Sequence, residues 1–457
     1  MLSTLALSLL GEEGIIAAWI VVALWAVSGA DQAVEALLVS VVLNALNPGI
    51  FARSEIGLSL RWFILALASF RVGYAWAKDG FKQPSWFRYF LLFVLYAGLA
   101  ALFVSRLPTV SLFKLMTYSF GSLVIYFGIR LGGKRDWGLN ILAFGAILAI
   151  LSLPLLGISE GRLLNGTQFQ GILAHPQQYG VLVSIPLGYA IAVWLLDRNS
   201  RLRWYQVVLL VAIGSTALLS GARAGYFAVF VSVVVSVLST KSLGILLSRL
   251  AFHPFTYFGI GALIIVFWVT NPVDQIKSLI FERESDVYAY YGLYLSADDP
   301  ILTHVLASRL GLIEDSWRNF MVHPVAGIGF GIHSSVSFDT LTQTLGGIPV
   351  TFPVEKGFLV TALLEEVGLV GATLFFLLIL SQLRVLGASL LLPYVMLYVV
   401  ALFVNFGESV YFALGSTGVL VHAAMSTALA QSERAPNGSV ISNSKRAICT
   451  IQDRHGH

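Results

Sequence analysis

Long apolar runs, separated by short polar connections, recur along most of the chain. Because a transmembrane helix needs about 20 consecutive, mostly apolar residues, each run predicts one span. The predicted spans are 15–30, 34–51, 58–77, 89–105, 109–131, 138–156, 179–196, 204–220, 224–239, 255–272, 357–381, 386–405 and 410–430. The first spans are the least sharply bounded, since Asp31, Glu35, Pro48 and Arg53 interrupt residues 31–57. The pattern predicts an all-α, polytopic integral membrane protein with about 12–13 transmembrane helices.

Composition narrows the class of protein. Of the 457 residues, 57% are apolar and 11% are charged, whereas a soluble domain is about 25% charged. The mean hydropathy is +0.82. These values argue against a soluble enzyme, a disordered chain and a nucleic-acid binder. Cys449 is the single cysteine, which excludes an intramolecular disulfide, and the histidines show no metal-ligand spacing, so we expect no metal and no other cofactor.

Charge predicts the orientation of the spans. Lys and Arg concentrate in alternate connections, at 78–88, 132–137, 197–203 and 382–385, which the positive-inside rule assigns to the cytoplasm. The one long connection is expected to be external. It is also acidic, with ten Asp or Glu against five Lys or Arg, a net charge of −5 where the whole chain carries +4.

These patterns divide the chain into four parts. We predict an N-terminal transmembrane bundle at 1–272, a large periplasmic loop at 273–356, C-terminal transmembrane helices at 357–431 and a disordered cytoplasmic tail at 432–457.

An arginine occupies a very short external turn, Ser220-Gly-Ala-Arg223-Ala-Gly225, between two apolar spans. Arg223 could anchor the helix by reaching lipid phosphates. Alternatively, its guanidinium could bind a phosphate or pyrophosphate through two parallel hydrogen bonds. The flanking glycines favour the second interpretation, because small residues let a head group approach the backbone.

Further candidates lie around the long external connection. Arg309 and Arg318 precede His323 and a glycine-rich turn, Gly327-Ile-Gly329-Phe-Gly331, and a surface ion pair with Glu314 or Asp315 is the alternative for each arginine. Glu355 lies at the membrane rim, and Glu365 and Glu366 lie inside the following span, where carboxylates are costly and are candidates for function. Arg71 also falls inside an apolar run, with Asp31 or Glu35 as an alternative, structural partner.

The order of these motifs resembles the O-antigen ligase/polymerase superfamily. The matching segments are Gly171-Ile-Leu-Ala-His175-Pro176, Ser220-Gly-Ala-Arg223, Trp317-Arg318-Asn-Phe followed by His323-Pro, and Glu355-Lys-Gly-Phe-Leu followed by Glu366-Val-Gly368. Together they cover roughly residues 160–380, and their specificity comes from their order and topology.

The resemblance implies a GT-C-like membrane glycosyltransferase of the bacterial inner membrane, with its active site facing the periplasm. Members need no metal and transfer glycans from an undecaprenyl-pyrophosphate-linked donor to a glycan acceptor. Arginines matching Arg223 and Arg318 would act on the pyrophosphate, with Arg309, His323, Glu366, His175 and Arg71 as candidate substrate-binding residues. The lipid bilayer and a polysaccharide chain-length regulator are further expected partners, and nucleic acid is not.

One departure from the family pattern changes the expected reaction. Ligases of the family have a His-Asn pair where this chain has Glu355-Lys356. This favours a polymerase of O-antigen or exopolysaccharide repeat units, in which Glu355 would serve as the base, over a ligase that transfers polymer to lipid A-core. A transporter or a non-catalytic scaffold remains the alternative, although no internal repeat supports transport.

Overall fold

The structure, a computed structural model, describes residues 1–51, 57–133, 135–162, 168–196, 203–240, 313–332, 343–345, 348–351, 357–389 and 392–434. These residues are mainly helical. In the part before residue 241 the α-helices are α1 (Leu2–Ser8), α2 (Glu12–Ser28), α3 (Ala30–Asn44), α4 (Gly57–Lys78), α5 (Phe87–Phe103), α6 (Pro108–Leu131), α7 (Trp137–Ser152), α8 (Pro176–Ala190), α9 (Trp204–Leu219) and α10 (Arg223–Thr240). Short 3-10 turns, Leu153–Gly157 and Ser159–Gly161, follow α7, and a π-helical turn, Ile191–Leu196, prolongs α8.

The remaining described elements belong to the C-terminal half. They are α11 (residues 313–322), β1 (Gln343–Leu345), β2 (Ile348–Thr351), α12 (Leu359–Ser389), α13 (Leu392–Phe403), a 3-10 turn (Val404–Phe406) and α14 (Gly418–Arg434). The two strands pair antiparallel. Each predicted span therefore falls on a described helix, except 255–272, which lies outside the described residues.

Several predicted boundaries are wrong. α3 ends at Asn44, short of the predicted end at 51, and α14 begins at Gly418, after the predicted start at 410. The connection predicted at 382–385 is helical, because α12 continues to Ser389. No Gly or Pro interrupts 372–386, and Arg384 is exposed on the helix surface, where a charge is tolerated. At the other end, α14 extends to Arg434, beyond the predicted span 410–430 and into the predicted tail at 432–457.

The helices have the length and hydropathy of membrane spans. Among the described helices, four are long and apolar enough to cross a bilayer, namely Pro108–Leu131, Trp137–Gly157, Pro176–Leu196 and Leu359–Gly387. Shorter apolar helices accompany them at Phe87–Phe103, Trp204–Leu219, Arg223–Leu238 and Leu392–Phe406. The fold class is thus that expected of an α-helical membrane protein.

Contacts gather several positive residues at one end of the bundle, which we call the basic end. Arg130 donates to the Lys82 carbonyl at 3.0 Å, and Arg434 donates to the carbonyl of Arg130. Arg135 pairs with Asp31 at 2.8 Å and also with Glu35. The connections predicted to be cytoplasmic at 78–88 and 132–137 therefore meet at the same end.

The opposite end, which we call the site end, is built from the other set of connections. Residues 45–47 pair with 172–174, with the Ala174 amide donating to the Ala45 carbonyl at 2.7 Å. The Phe169 amide donates to the Leu219 carbonyl at 3.1 Å, which brings this pair to the end of α9. Arg61 donates to the Gly415 carbonyl at 3.0 Å, so the connection between α13 and α14 joins the same end.

Candidate functional site

Arg223 is the first residue of α10 and closes a three-residue turn after α9. The turn is tight because Gly221 adopts a φ of +66°, a conformation that favours glycine. The Ser220 hydroxyl donates to the Ala217 carbonyl at 2.6 Å and accepts from the Ala222 amide at 3.3 Å. The Arg223 side chain is half-buried at the site end. Its backbone position is therefore set by local hydrogen bonds, within the short turn that the spacing between the apolar runs predicted.

The turn packs directly against α8. A Cβ atom on Gly180 would overlap the Ala222 side chain, and one on Gly225 would overlap the Ser184 hydroxyl, so a small side chain packs on glycine backbone at both places. Small residues of this kind are the usual means of close helix contact in membranes. The flanking glycines that favoured a binding role thus have a packing role here, which holds Arg223 rigidly against α8.

His175 lies at the start of the same helix. It is the N-cap of α8, and its Nδ1 accepts a hydrogen bond from the Gln177 amide at 3.3 Å. Its ring is half-buried. The structure therefore brings His175 to the site end, on the helix that packs against the Arg223 turn, and gives it a capping role.

The segment after α13 forms a third wall. Gly407 packs on Ala224, where an added Cβ would stand 2.7 Å from the Ala224 Cβ. Phe406 stacks on Phe403 at 4.8 Å and meets Phe358 edge-on at 5.3 Å. Because Phe358 immediately precedes α12, the point where the chain re-enters the bundle lies beside the Arg223 turn. Glu355 is three residues before Phe358 and lies outside the described residues.

Residues 323–332, which we call the re-entrant segment, insert between α5, α6 and α12. The Tyr96 hydroxyl donates to the Val325 carbonyl at 3.0 Å, the Ser111 hydroxyl to the Phe330 carbonyl at 2.7 Å and the Lys114 ammonium to the Gly331 carbonyl at 2.8 Å. Phe330 is fully buried. Gly327, Gly329 and Gly331 all have positive φ, which confirms the predicted glycine turn. The sequence did not show that this turn lies inside the bundle.

A break in α12 receives this segment. Gly368 has a φ of +63°, which interrupts the helix and leaves its neighbouring backbone groups without helical partners. The Ile328 and Gly329 amides donate to the carbonyls of Glu365 and Glu366, at 2.8 and 3.0 Å. In return, the Leu369 amide donates to the Pro324 carbonyl at 2.8 Å. Irregular backbone is tolerated at membrane depth because protein groups satisfy it in this way.

Both carboxylates predicted inside this span are buried and bonded. Glu365 accepts from the Ser316 hydroxyl at 2.9 Å and from the side-chain Nδ2 of Asn319 at 2.7 Å. Glu366 accepts from the Gly331 backbone amide at 2.6 Å. They therefore attach α11 and the re-entrant segment to α12, and this structural duty accounts for carboxylates at such depth.

The other predicted residues of the external connection are on the surface of α11 or follow it. Arg318 pairs with Glu314 at 3.2 Å, and both side chains are about 70% exposed, so the predicted surface ion pair is confirmed for this arginine. An exposed ion pair such as that of Arg318 with Glu314 contributes little to stability. His323 is exposed just beyond α11. Arg309 lies outside the described residues.

Arg71 is placed away from the other candidates. It lies on α4 two turns before Lys78, about 10 Å along the helix axis from that end. The alternative partners considered for it, Asp31 and Glu35, pair with Arg135 instead. Arg71 therefore belongs to the half of the bundle near the basic end, and the structure does not group it with Arg223.

Two residues of the third wall were not among the candidates from sequence. Asn405 and Glu408 are both buried, in the segment that packs on Ala224. They fall at the junction of the predicted spans 386–405 and 410–430, where a single polar residue resembles an ordinary helix end. The only signal for Glu408 in the sequence is that a carboxylate lies between two predicted spans.

Among the described residues, no group of three or more His, Cys, Asp or Glu side chains is arranged to hold a metal ion. The arrangement that is present at the site end consists of an arginine whose backbone is fixed at a helix start, a buried carboxylate and a buried amide. Such a set suits an anion next to hydroxyl groups.

No protein-family model matches this chain, and no curated protein matches it.

Proposed function

We propose that this protein is a membrane glycosyltransferase that moves a glycan from an undecaprenyl-pyrophosphate-linked donor to an acceptor sugar hydroxyl, and that it polymerises repeat units of an O-antigen or exopolysaccharide. The observation that carries the proposal is the placement of Arg223. It is the first residue of α10, in a turn locked against α8 and Gly407, at the end opposite the basic end.

The chemistry of the proposed reaction needs positive charge near the bilayer surface. The bond from the anomeric carbon to the pyrophosphate breaks with its electron pair on the pyrophosphate oxygen, where negative charge develops. A guanidinium can bind two phosphate oxygens at once, and the amides at a helix start favour the same anion. A rigid turn lowers the cost of positioning these donors.

The acceptor hydroxyl needs a base, and the resemblance places one at Glu355. Its neighbours on the described side, Gly357 and Phe358, reach the third wall through the contact between Phe358 and Phe406. A carboxylate at this rim would be within the same end of the bundle as Arg223. Partial burial would raise its pKa towards that of an effective base, whereas the adjacent Lys356 would oppose the rise.

Transport is the second candidate, and the broken helix α12 favours it. Discontinuous helices with polar groups near mid-membrane are typical of transporter substrate sites. Here, however, the re-entrant segment fills the break and bonds to the carbonyls of Glu365 and Glu366. We therefore rank transfer above transport.

The test combines a gene deletion with substitutions. Cells that lack the gene should accumulate single lipid-linked repeat units, and wild-type protein should clear them. Arg223→Lys keeps the charge but loses the two-pronged hydrogen bonding, so polymer output should fall at least about tenfold. Arg106→Lys is the matched control, because Arg106 is an exposed arginine after α5 at the same end, and it should behave as wild type.

Three results would count against the proposal. Normal polymer output from well-expressed Arg223→Lys and Arg223→Ala proteins would exclude phosphate recognition by this residue. Accumulation of finished polymer on its lipid would indicate a ligase. Solute uptake into proteoliposomes that contain no lipid-linked glycan would indicate a transporter.

A further inference from the structure

The turn after α13, Val404–Phe406, continues as an irregular, buried segment through Glu408. Asn405 has no solvent exposure, and Glu408 is 8% exposed. The Glu408 amide donates to the Val404 carbonyl at 3.2 Å, and the Glu408 carbonyl accepts from the Val410 amide at 2.7 Å. Both polar side chains are therefore carried by a backbone whose conformation is set by hydrogen bonds on either side.

Asn405 presents an unused hydrogen-bond acceptor. Its Nδ2 donates back to the Ala401 carbonyl at 2.8 Å, while its Oδ1 is buried and has no partner in the described part of the chain. A buried acceptor without a donor is costly, and such atoms are uncommon in native proteins. The Oδ1 atom therefore needs a hydrogen-bond donor, and the described residues do not supply one.

Asn405 lies within the 3-10 turn, and Glu408 is the second residue after its end, so the two polar residues belong to one short stretch of chain. The pair offers acceptor atoms, one from an amide and one from a carboxylate, which is the chemistry that binds hydroxyl donors. Aromatic faces flank the turn, through the stack of Phe406 on Phe403. Sugars present hydroxyl donors together with apolar ring faces, so this combination suits a sugar.

The location joins this pair to the candidate site. Gly407, between the two residues, touches Ala224, which directly follows Arg223. Among the described residues, the buried carboxylates are Glu365, Glu366 and Glu408. Glu408 is the one beside the Arg223 turn.

We propose that Asn405 and Glu408 form the acceptor-sugar subsite, in which the two side chains accept hydrogen bonds from hydroxyl groups of the acceptor glycan. The subsite rests on the proposed function. It places the two substrates on different walls of the site. The pyrophosphate of the donor lies on the Arg223 turn, and the acceptor sugar lies on the turn after α13.

Two ligand probes separate the subsites in purified, full-length protein. The first is undecaprenyl pyrophosphate without a glycan. The second is the repeat-unit glycan released from its lipid by mild acid, without pyrophosphate. Glu408→Gln should weaken binding of the released glycan by about tenfold or more, the worth of a hydrogen bond to a charged group, and leave undecaprenyl pyrophosphate binding unchanged. Arg223→Lys should do the reverse.

Controls keep the result interpretable. Glu160→Gln alters an exposed carboxylate at the same end and should change neither affinity. Asn405→Leu removes the unpartnered acceptor with little change in volume, so it should weaken glycan binding without lowering the thermal midpoint of unfolding. A drop in that midpoint together with lost binding of both probes would mean that the turn is structural and would overturn the subsite.

The outcomes also distinguish this inference from the proposed function. Wild-type protein that neither binds undecaprenyl pyrophosphate nor joins repeat units would refute the function, and with it the subsite. Wild-type protein that joins repeat units while Glu408→Gln and Asn405→Leu bind the released glycan normally would refute the subsite alone.

Discussion

Arg223, Arg318 and Arg71 have the same side chain in three different settings. Arg223 is half-buried at a helix start, Arg318 is exposed and paired with Glu314, and Arg71 lies on α4 towards the basic end. A guanidinium recognises phosphate best when its position is fixed and water is partly excluded. By this criterion Arg223 is the strongest of the three as a pyrophosphate ligand, and Arg318 is a secondary one.

Glu355 remains the base that the family resemblance suggests, and it can be tested directly. Glu355→Gln keeps the size of the side chain and removes its basicity, so transfer should fall by about two to four orders of magnitude while donor binding persists. Turnover is measured with purified lipid-linked repeat units, and donor binding with undecaprenyl pyrophosphate.

Glu366→Gln is the informative comparison for that experiment. Glu366 is bonded to the Gly331 amide, so its substitution should lower stability more than turnover per folded molecule. Near-normal turnover of Glu355→Gln, with a loss in Glu366→Gln that persists after correction for folded protein, would place the base on α12.

At the scale of elements, α12 and the re-entrant segment depend on one another at Gly368. A Cβ at this residue would overlap the Val325 carbonyl, and its φ of +63° disfavours any side chain. We expect Gly368→Ala to destabilise the protein by at least about 1–2 kcal/mol from the backbone conformation alone. Thermal unfolding in detergent measures the effect.

Gly387→Ala is the control on the same helix. Gly387 is exposed, and a Cβ there would have no atom within 4 Å, so this substitution should be neutral or slightly stabilising. Equal midpoints for Gly368→Ala and Gly387→Ala would show that the break in α12 is not required.

Helices were predictable from the sequence to the extent that apolar runs determine them. The predicted span 109–131, for example, is helix Pro108–Leu131. The re-entrant segment was not predictable, because its glycines signal a turn in water as well as in protein and its burial depends on partners such as Ser111 and Tyr96, which are distant in sequence. The same holds for the candidate site. Arg223 could be identified from the short turn in the sequence, whereas the neighbours of Glu408 come only from tertiary contacts.

For the whole molecule, the separation of two ends predicts the orientation in the membrane. The basic end should face the cytoplasm and the site end the periplasm. In a Cys449→Ser background, Arg106→Cys should react with an impermeant thiol reagent in intact spheroplasts, because Arg106 is exposed at the site end. Lys82→Cys, at an exposed position of the basic end, should react only after the membrane is opened. Labelling of both from outside would contradict this orientation.

The mutual bonding of the re-entrant segment and α12 has a consequence for biogenesis. Residues 323–332 leave the ribosome before residues 359–370, yet the Ile328 and Gly329 amides and the Pro324 carbonyl find their partners at Glu365, Glu366 and Leu369. Until α12 is inserted these groups lack their partners, and hydrocarbon offers none. We therefore expect the segment to complete its insertion only after α12 is in place. Assembly of this part of the bundle then proceeds from α12 back to an earlier part of the chain, against the order of synthesis.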